Sequence, residues 1–220
     1  TDFRNNLRVT LSRLKTSLVQ HGVDTLVVDR QTVQFRTDID CAIDAQEFQR
    51  LHAEVVSHSH GNLANCSSCV QKNEQALALY KGQFLQGFHI EDSYVFEEWM
   101  TFQQEHYQRQ AIELLSIAET AYLQQANIAK ALDTVRRRIA LDPLQEDAHR
   151  LLMRLMVQDG ERHAALVQYE TWRRLLNQEL GIPPDPETVN LYQQIRDGML
   201  VDSTNRAAVD ASEKALVLSL

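Results

Sequence analysis

The chain has 220 residues, a formal net charge of −8, and a composition of 44% hydrophobic and 24% charged residues, which is typical of a globular protein. No apolar run approaches the roughly 20 residues that cross a bilayer, and the first residues do not resemble a signal peptide. We therefore expect neither a membrane-spanning nor a secreted protein, but a cytoplasmic protein with reduced cysteines and no membrane partner. The chain lacks an initiator methionine, and we interpret it as part of a longer protein.

Charge is distributed unevenly along the chain. Residues 1–36 contain six basic and three acidic side chains, against 16 basic and 27 acidic side chains in the remainder. This asymmetry indicates nucleic-acid contact at the N-terminal end only. The alternative is that the basic residues simply form a solvated surface.

The first predicted element is an amphipathic helix that ends near Gly22. Its apolar residues recur at spacings of three and four, namely Phe3, Leu7, Leu11, Leu14 and Leu18. Two short β-branched stretches, residues 25–28 and 32–36, then predict a hairpin. A basic helix followed directly by a hairpin is the order of the recognition helix and wing in a winged-helix DNA-binding domain.

Seven polar side chains are the candidates for DNA contact: Arg4, Asn5, Arg8, Ser12, Arg13, Lys15 and Arg30. Arginine can pair with guanine through two hydrogen bonds or bind phosphate, and asparagine can read adenine. The alternative is an ordinary solvated helix face.

From residue 45 onward the pattern predicts helices only, over about 45–57, 69–80 and 93–125, followed by a repeated pair. Ala131-Leu132 recurs as Ala165-Leu166 after 34 residues. Helix–turn–helix units of this period are typical of tetratricopeptide-like stacking, which builds concave surfaces for partners. The predicted fold is therefore all-α: a tetratricopeptide-like helical repeat with a small N-terminal helix and β-hairpin, a partial winged helix.

Two local predictions concern caps and aromatic residues. Asp142 is expected to cap a helix that begins at Pro143. The helical spacing of Phe96, Trp99 and Phe102 favours a place in the core over a role as anchors for a partner, and Trp172 is also expected in the core.

Four potential metal ligands, His58, His60, Cys66 and Cys69, lie close together in one predicted loop. Zinc prefers four nitrogen or sulfur ligands, and a Cys-x2-Cys pair can reach one ion. Only one such pair is present, so the pattern permits zinc without matching a complete zinc motif. Two reduced thiols without metal, or a disulfide formed on oxidation, stay open.

Several sequence strings carry a resemblance to a known family. They are ALYKGQFLQG (residues 78–87), FEEW (96–99), LDPLQEDAHR (141–150), LMRL (152–155) and ELGIPPDPET (179–188). In this order and spacing they resemble the bacterial transcriptional activator domain (BTAD) of the SARP family of regulators. Residues 6–15 are similar to the recognition helix of the OmpR-type winged helix that precedes this domain in the family, and residues 25–36 are similar to its wing.

The resemblance implies three segments: residues 1–37 as the C-terminal half of a winged helix, 38–200 as the activator domain, and 201–220 as a linker or tail. It implies a transcriptional regulator that binds DNA through the complete winged helix. The helical repeat would contact RNA polymerase, a second protomer or a downstream ATPase. The alternative is a peptide-binding signalling scaffold without DNA binding. We expect no enzyme activity, because the sequence shows neither a catalytic triad nor a phosphate-binding loop.

Overall fold

A computed structural model describes residues 3–29, 31–36, 42–58 and 66–200. The chain divides into two units, Thr1–Ile43 and Asp44–Leu220. In the described residues, unit 1 contains α1 (Phe3–Gln20), β1 (Leu26–Val28) and β2 (Val33–Phe35). Unit 2 is helical: α2 (Asp44–Ser57), α3 (Ser67–Leu79), α4 (Tyr94–Gln124), α5 (Ile128–Leu141), α6 (Glu146–Gln158), α7 (Arg162–Glu179) and α8 (Pro186–Arg196). The predicted fold class is confirmed.

Unit 1 is a helix followed by a two-stranded antiparallel hairpin, in which Leu26 lies opposite Phe35. Helix α1 ends because Gly22 adopts a left-handed conformation, with φ of 78°. The N–H groups of Gly22 and Val23 then donate to the carbonyls of Val19 and Leu18, which satisfies two groups at the helix end. The predicted helix, its terminating glycine and the hairpin are all confirmed.

Unit 2 is a stack of helices in which each helix packs on the next along the chain, from α2 to α8. The 34-residue repeat places Ala131 in α5 and Ala165 in α7, and both side chains are completely buried. Because alanine adds only a methyl group, it lets neighbouring helices approach closely. The repeat signature therefore corresponds to equivalent packing positions in the stack.

The core of unit 2 follows these helices along their length. Its largest fully buried side chains include Trp172, Leu114, Leu115 and Met153. Near the end of the stack, the rings of Tyr169 and Tyr192 lie parallel, with centroids 4.1 Å apart, and join α7 to α8. The predicted core position of Trp172 is confirmed.

The predicted cap at Asp142 is wrong. Asp142 ends α5, since its N–H donates to the carbonyl of Arg138. Its carboxylate accepts hydrogen bonds from the Leu144 N–H and the Gln145 side chain, which stabilises a turn through Pro143. Helix α6 begins only at Glu146. Aspartate followed by proline favours turns as well as helix starts, and the local sequence did not separate the two.

The predicted core positions of Trp99 and Phe102 are also wrong. Trp99 is 45% exposed and Phe102 is 58% exposed, whereas Phe96 is half-buried. Helical spacing shows that the three side chains share a side of α4, but it does not show whether another element covers that side.

Candidate functional site

Five of the six candidate DNA contacts in α1 are exposed, and Lys15 is half-buried. Arg4, Arg8, Ser12 and Lys15 follow one another at spacings of four, four and three residues, so they lie along one side of the helix. Asn5 is next to this row, seven residues before Ser12. Arg13 is five residues after Arg8 and lies on the other flank of the polar face. The seventh candidate, Arg30, lies outside the described residues.

The opposite side of α1 is apolar and largely uncovered. Phe3 is 76% exposed and Leu7 is 48% exposed, and α1 buries no residue completely. A contiguous exposed apolar stripe is typical of a surface that packs against another element or partner.

The hairpin of unit 1 is stabilised at both ends by acidic side chains. At the turn, the Asp29 carboxylate accepts hydrogen bonds from the backbone N–H groups of Gln31 and Thr32 and from the Thr32 hydroxyl. These bonds lower the pKa of Asp29, with the Gln31 N–H as the largest cause. At the base, Arg36 pairs with Asp24 at 2.9 Å. The hairpin thus has a defined turn although its strands have only three residues each.

Three of the four predicted metal ligands come together between α2 and α3. One ligand atom from each of His58, Cys66 and Cys69 lies within 4.8 Å of the other two. Nδ1 of His58 is 3.1 Å from Sγ of Cys69. The two sulfurs are not joined by a disulfide. The fourth predicted ligand, His60, lies outside the described residues.

The two thiols of this cluster differ in environment. Cys69 is buried, and burial raises the pKa of its thiol. Cys66 precedes α3 and is half-buried. The Cys69 backbone N–H lowers the pKa of Cys66, because a thiolate accepts this hydrogen bond better than a thiol does.

An ion network that the sequence did not reveal joins α4, α5 and α6; its Arg138–Glu119 pair is buried, whereas Asp147 is exposed. Arg138 pairs with Glu119 at 2.9 Å and with Asp147 at 2.7 Å. Glu119 is 4% exposed, and burial raises its pKa to about 7 despite the opposing effect of Arg138. The three residues are widely separated along the chain, and no local pattern distinguishes them from surface charges.

His149 is a second buried polar group and has a structural role. Its Nδ1 accepts a hydrogen bond from the Gln168 amide, and its Nε2 donates to the Pro143 carbonyl. Its ring stacks on Trp172 with centroids 4.3 Å apart. Burial lowers the pKa of His149, which favours the neutral form that these two hydrogen bonds require. This histidine fastens the turn before α6 to α7.

Three side chains of the N-terminal half of α4 and one side chain of the segment before it form an aromatic surface, which we define as Phe88, Phe96, Trp99 and Phe102. Phe96 contacts both Phe88 and Trp99, with centroids 5.7 and 5.5 Å apart. Trp99 also meets Phe84 edge-on, and Phe84 stacks on the buried ring of Tyr107. The surface is therefore exposed on one side and supported from the core on the other.

Comparison with known proteins identifies the family to which this helical stack is related. The sequence model of the bacterial transcriptional activator domain matches residues 43–196, a range that includes the helices α2 to α8 described above. The chain belongs to this family. This match confirms the BTAD resemblance of the sequence. BTAD-containing proteins of the SARP type are bacterial regulators that activate transcription. The family is a class of regulators and not a class of enzymes.

A curated relative extends the similarity over more of the chain. The regulatory protein AfsR of Streptomyces griseus is 29% identical over 198 residues, which cover 86% of this chain and 18% of AfsR. The chain thus spans less than a fifth of the relative's length. Among the residues that the structure describes, no helix has the length and apolar character of a membrane span.

Proposed function

We propose that unit 1 contacts DNA with α1 as a recognition helix and the hairpin as a wing, and that the BTAD of unit 2 contacts a protein partner. The main observation that supports DNA contact by unit 1 is the positive charge of α1. The helix contains four basic side chains, Arg4, Arg8, Arg13 and Lys15, and no acidic residue, although the whole chain is acidic.

The two sides of α1 fit this role. Its polar side presents basic and hydrogen-bonding groups together, as contact with phosphates and base edges requires. Its apolar side, formed by residues such as Phe3 and Leu7, is suited to packing on the rest of a winged-helix domain. Five residues separate α1 from the first strand of the hairpin. A helix followed by a hairpin is the chain order of recognition helix and wing.

DNA binding is tested with the natural full-length protein and a mixed-sequence duplex, because contacts between arginine and phosphate do not depend on base sequence. Replacing both Arg8 and Arg13 with alanine is expected to weaken binding and to reduce the slope of log affinity against log salt by about 1 for each phosphate that an arginine no longer neutralises. Fluorescence anisotropy over a salt series gives both quantities. Arg136→Ala, a change at an exposed arginine of α5 in unit 2, is the matched control and should leave both unchanged.

Unchanged affinity and salt slope in the Arg8→Ala, Arg13→Ala variant would contradict the recognition-helix proposal. That result would favour the alternative function, a peptide-binding scaffold without DNA binding. The aromatic surface supports this alternative, because exposed aromatic side chains are common at the centres of protein interfaces.

We further propose that the aromatic surface of unit 2 contacts a partner such as RNA polymerase, a second protomer or a downstream ATPase. Trp99 and Phe102 project from α4, and rigid aromatic side chains contribute large contact areas at little cost in conformational entropy. Replacing both with serine should reduce activation of a reporter gene while DNA affinity stays the same. Activation at the native level would exclude this surface as the contact.

A further inference from the structure

The cluster of His58, Cys66 and Cys69 brings two sulfurs and one imidazole nitrogen together. Nδ1 of His58 lies 3.1 Å from Sγ of Cys69, and one ligand atom of each residue lies within 4.8 Å of the other two. Hydrogen bonds from the Cys69 backbone and side chain hold the Cys66 sulfur beside the start of α3. Convergence of two sulfurs and an imidazole nitrogen is the usual arrangement of a transition-metal site.

We propose that His58, Cys66 and Cys69 bind one zinc ion that joins the end of α2 to the start of α3. In tetrahedral zinc sites, bond lengths of about 2.0–2.3 Å place neighbouring donor atoms about 3.5–3.8 Å apart. The observed separations, from 3.1 Å to at most 4.8 Å, lie within about 1 Å of this range. Side-chain rotation alone can make such an adjustment, since His58 is exposed and Cys66 is half-buried.

The donor set selects the metal. Two thiolates and an imidazole favour zinc over magnesium or calcium, which take oxygen ligands. The two thiolate charges also balance the charge of a divalent ion, so the occupied site is neutral. Cys66 lies directly before the first turn of α3, where the helix dipole stabilises a negatively charged sulfur, and the ion itself would favour the thiolate of the buried Cys69. The fourth coordination position is available to a water molecule or a further donor of the chain.

The surroundings of the cluster indicate a structural ion. Cys69 lines a cavity of only about 10 Å³ beside Ala118 and Tyr122 of α4, which is about the space of one water molecule and too small for a substrate. The next turn of α3 is fixed to α4, because the Asn73 amide donates to the Leu114 carbonyl. An ion at Cys69 would therefore fasten the end of α2 to a part of α3 that is itself held by α4.

The proposal is tested by measuring metal in the full chain purified without chelator. Mass spectrometric elemental analysis should find about one zinc ion per chain, and the Cys66→Ser, Cys69→Ser variant should contain less than about a tenth of that amount. Ser68→Ala is the matched control, since Ser68 is exposed and lies between the two cysteines, and it should retain the ion. Cobalt substituted for zinc should show thiolate-to-cobalt charge-transfer absorption that the double variant lacks.

A second variant keeps the test valid if loss of the buried Cys69 thiol prevents folding. His58→Ala removes an exposed side chain, so it should fold, lose zinc faster to a chelator, and unfold at a Tm lower by about 2–4 °C. Zinc below about a tenth of an ion per native chain would overturn the proposal, whether the thiols are then reduced or joined in a disulfide. Full zinc content in a folded Cys66→Ser, Cys69→Ser variant would also overturn it.

Discussion

The two units of the chain differ in how completely their helices bury apolar side chains. In unit 1, α1 has a regular apolar stripe but buries none of its residues completely. In unit 2, α5 is shorter, with 14 residues against 18, yet it buries Ala131, Leu132, Thr134, Val135 and Arg138. An amphipathic sequence is therefore enough to form a helix in the structure, but only neighbouring helices convert its apolar side into a core. Substitutions in each unit test this difference in burial.

The largest expected effect is at the buried Arg138–Glu119 pair of the ion network in unit 2. At about pH 9, above the Glu119 pKa of about 7, Arg138→Ala leaves the Glu119 carboxylate buried without its partner, which typically costs about 3–5 kcal/mol of unfolding free energy. Urea denaturation followed by circular dichroism measures this change. Adding Glu119→Gln removes the unpaired charge and should recover part of the loss. Equal stability of the single and double variants would show that the network does not act through charge.

A matched pair of leucine substitutions compares the two units directly. Leu114 is completely buried and Leu7 is 48% exposed. In the 220-residue chain, Leu114→Ala should lower the unfolding free energy by about 2–5 kcal/mol, whereas Leu7→Ala should change it by no more than about 0.5 kcal/mol. Both are measured by urea denaturation. Similar losses in the two variants would mean that the apolar side of α1 is covered in solution.

The raised pKa of Glu119 also predicts that stability depends on pH. Its pKa is about 7 in the folded chain against an ordinary value of 4.5, so between these values the unfolded chain loses a proton that the folded chain keeps. Stability should therefore fall as pH rises from 4.5 to about 7, by at most about 3 kcal/mol. His149, whose pKa is lowered, acts in the opposite direction, because its unfolded form binds a proton first as pH falls.

Comparison with the Glu119→Gln variant separates the effect of Glu119 on the pH dependence of stability from that of His149. The amide introduced by this substitution does not titrate, so the difference in stability between the native chain and the variant isolates the effect of Glu119 at each pH. The native chain should lose stability relative to the variant as pH rises through this range. A difference that does not change with pH would contradict the raised pKa.

The smallest effect is expected in the hairpin of unit 1. Asp29→Ala removes the three hydrogen bonds that define the turn. Amide hydrogen exchange at Gln31 and Thr32 should accelerate, while the unfolding free energy of unit 2 should change by less than about 0.5 kcal/mol. Unchanged exchange at both amides would show that the turn does not depend on Asp29.

Much of the fold could be predicted from the sequence because periodicity and turn chemistry are local. The apolar spacing in α1 and the glycine at position 22 predicted the first helix and its end, and the pair of Ala-Leu dipeptides predicted the repeat. The prediction at Asp142 failed because the same residues suit both a helix start and a turn. The prediction for Trp99 and Phe102 failed because burial depends on which elements lie beside a helix.

Local sequence is enough to predict the helices, the hairpin, the 34-residue repeat and the residue types available for DNA and metal contact. Which of these residues meet depends on the tertiary structure. It brought His58 to the two cysteines across the connection between α2 and α3, placed Arg138 between Glu119 and Asp147, and left the aromatic surface of α4 exposed. The physical reason is that backbone conformation depends on neighbours along the chain, whereas burial, charge pairing and ligand geometry depend on packing between distant segments.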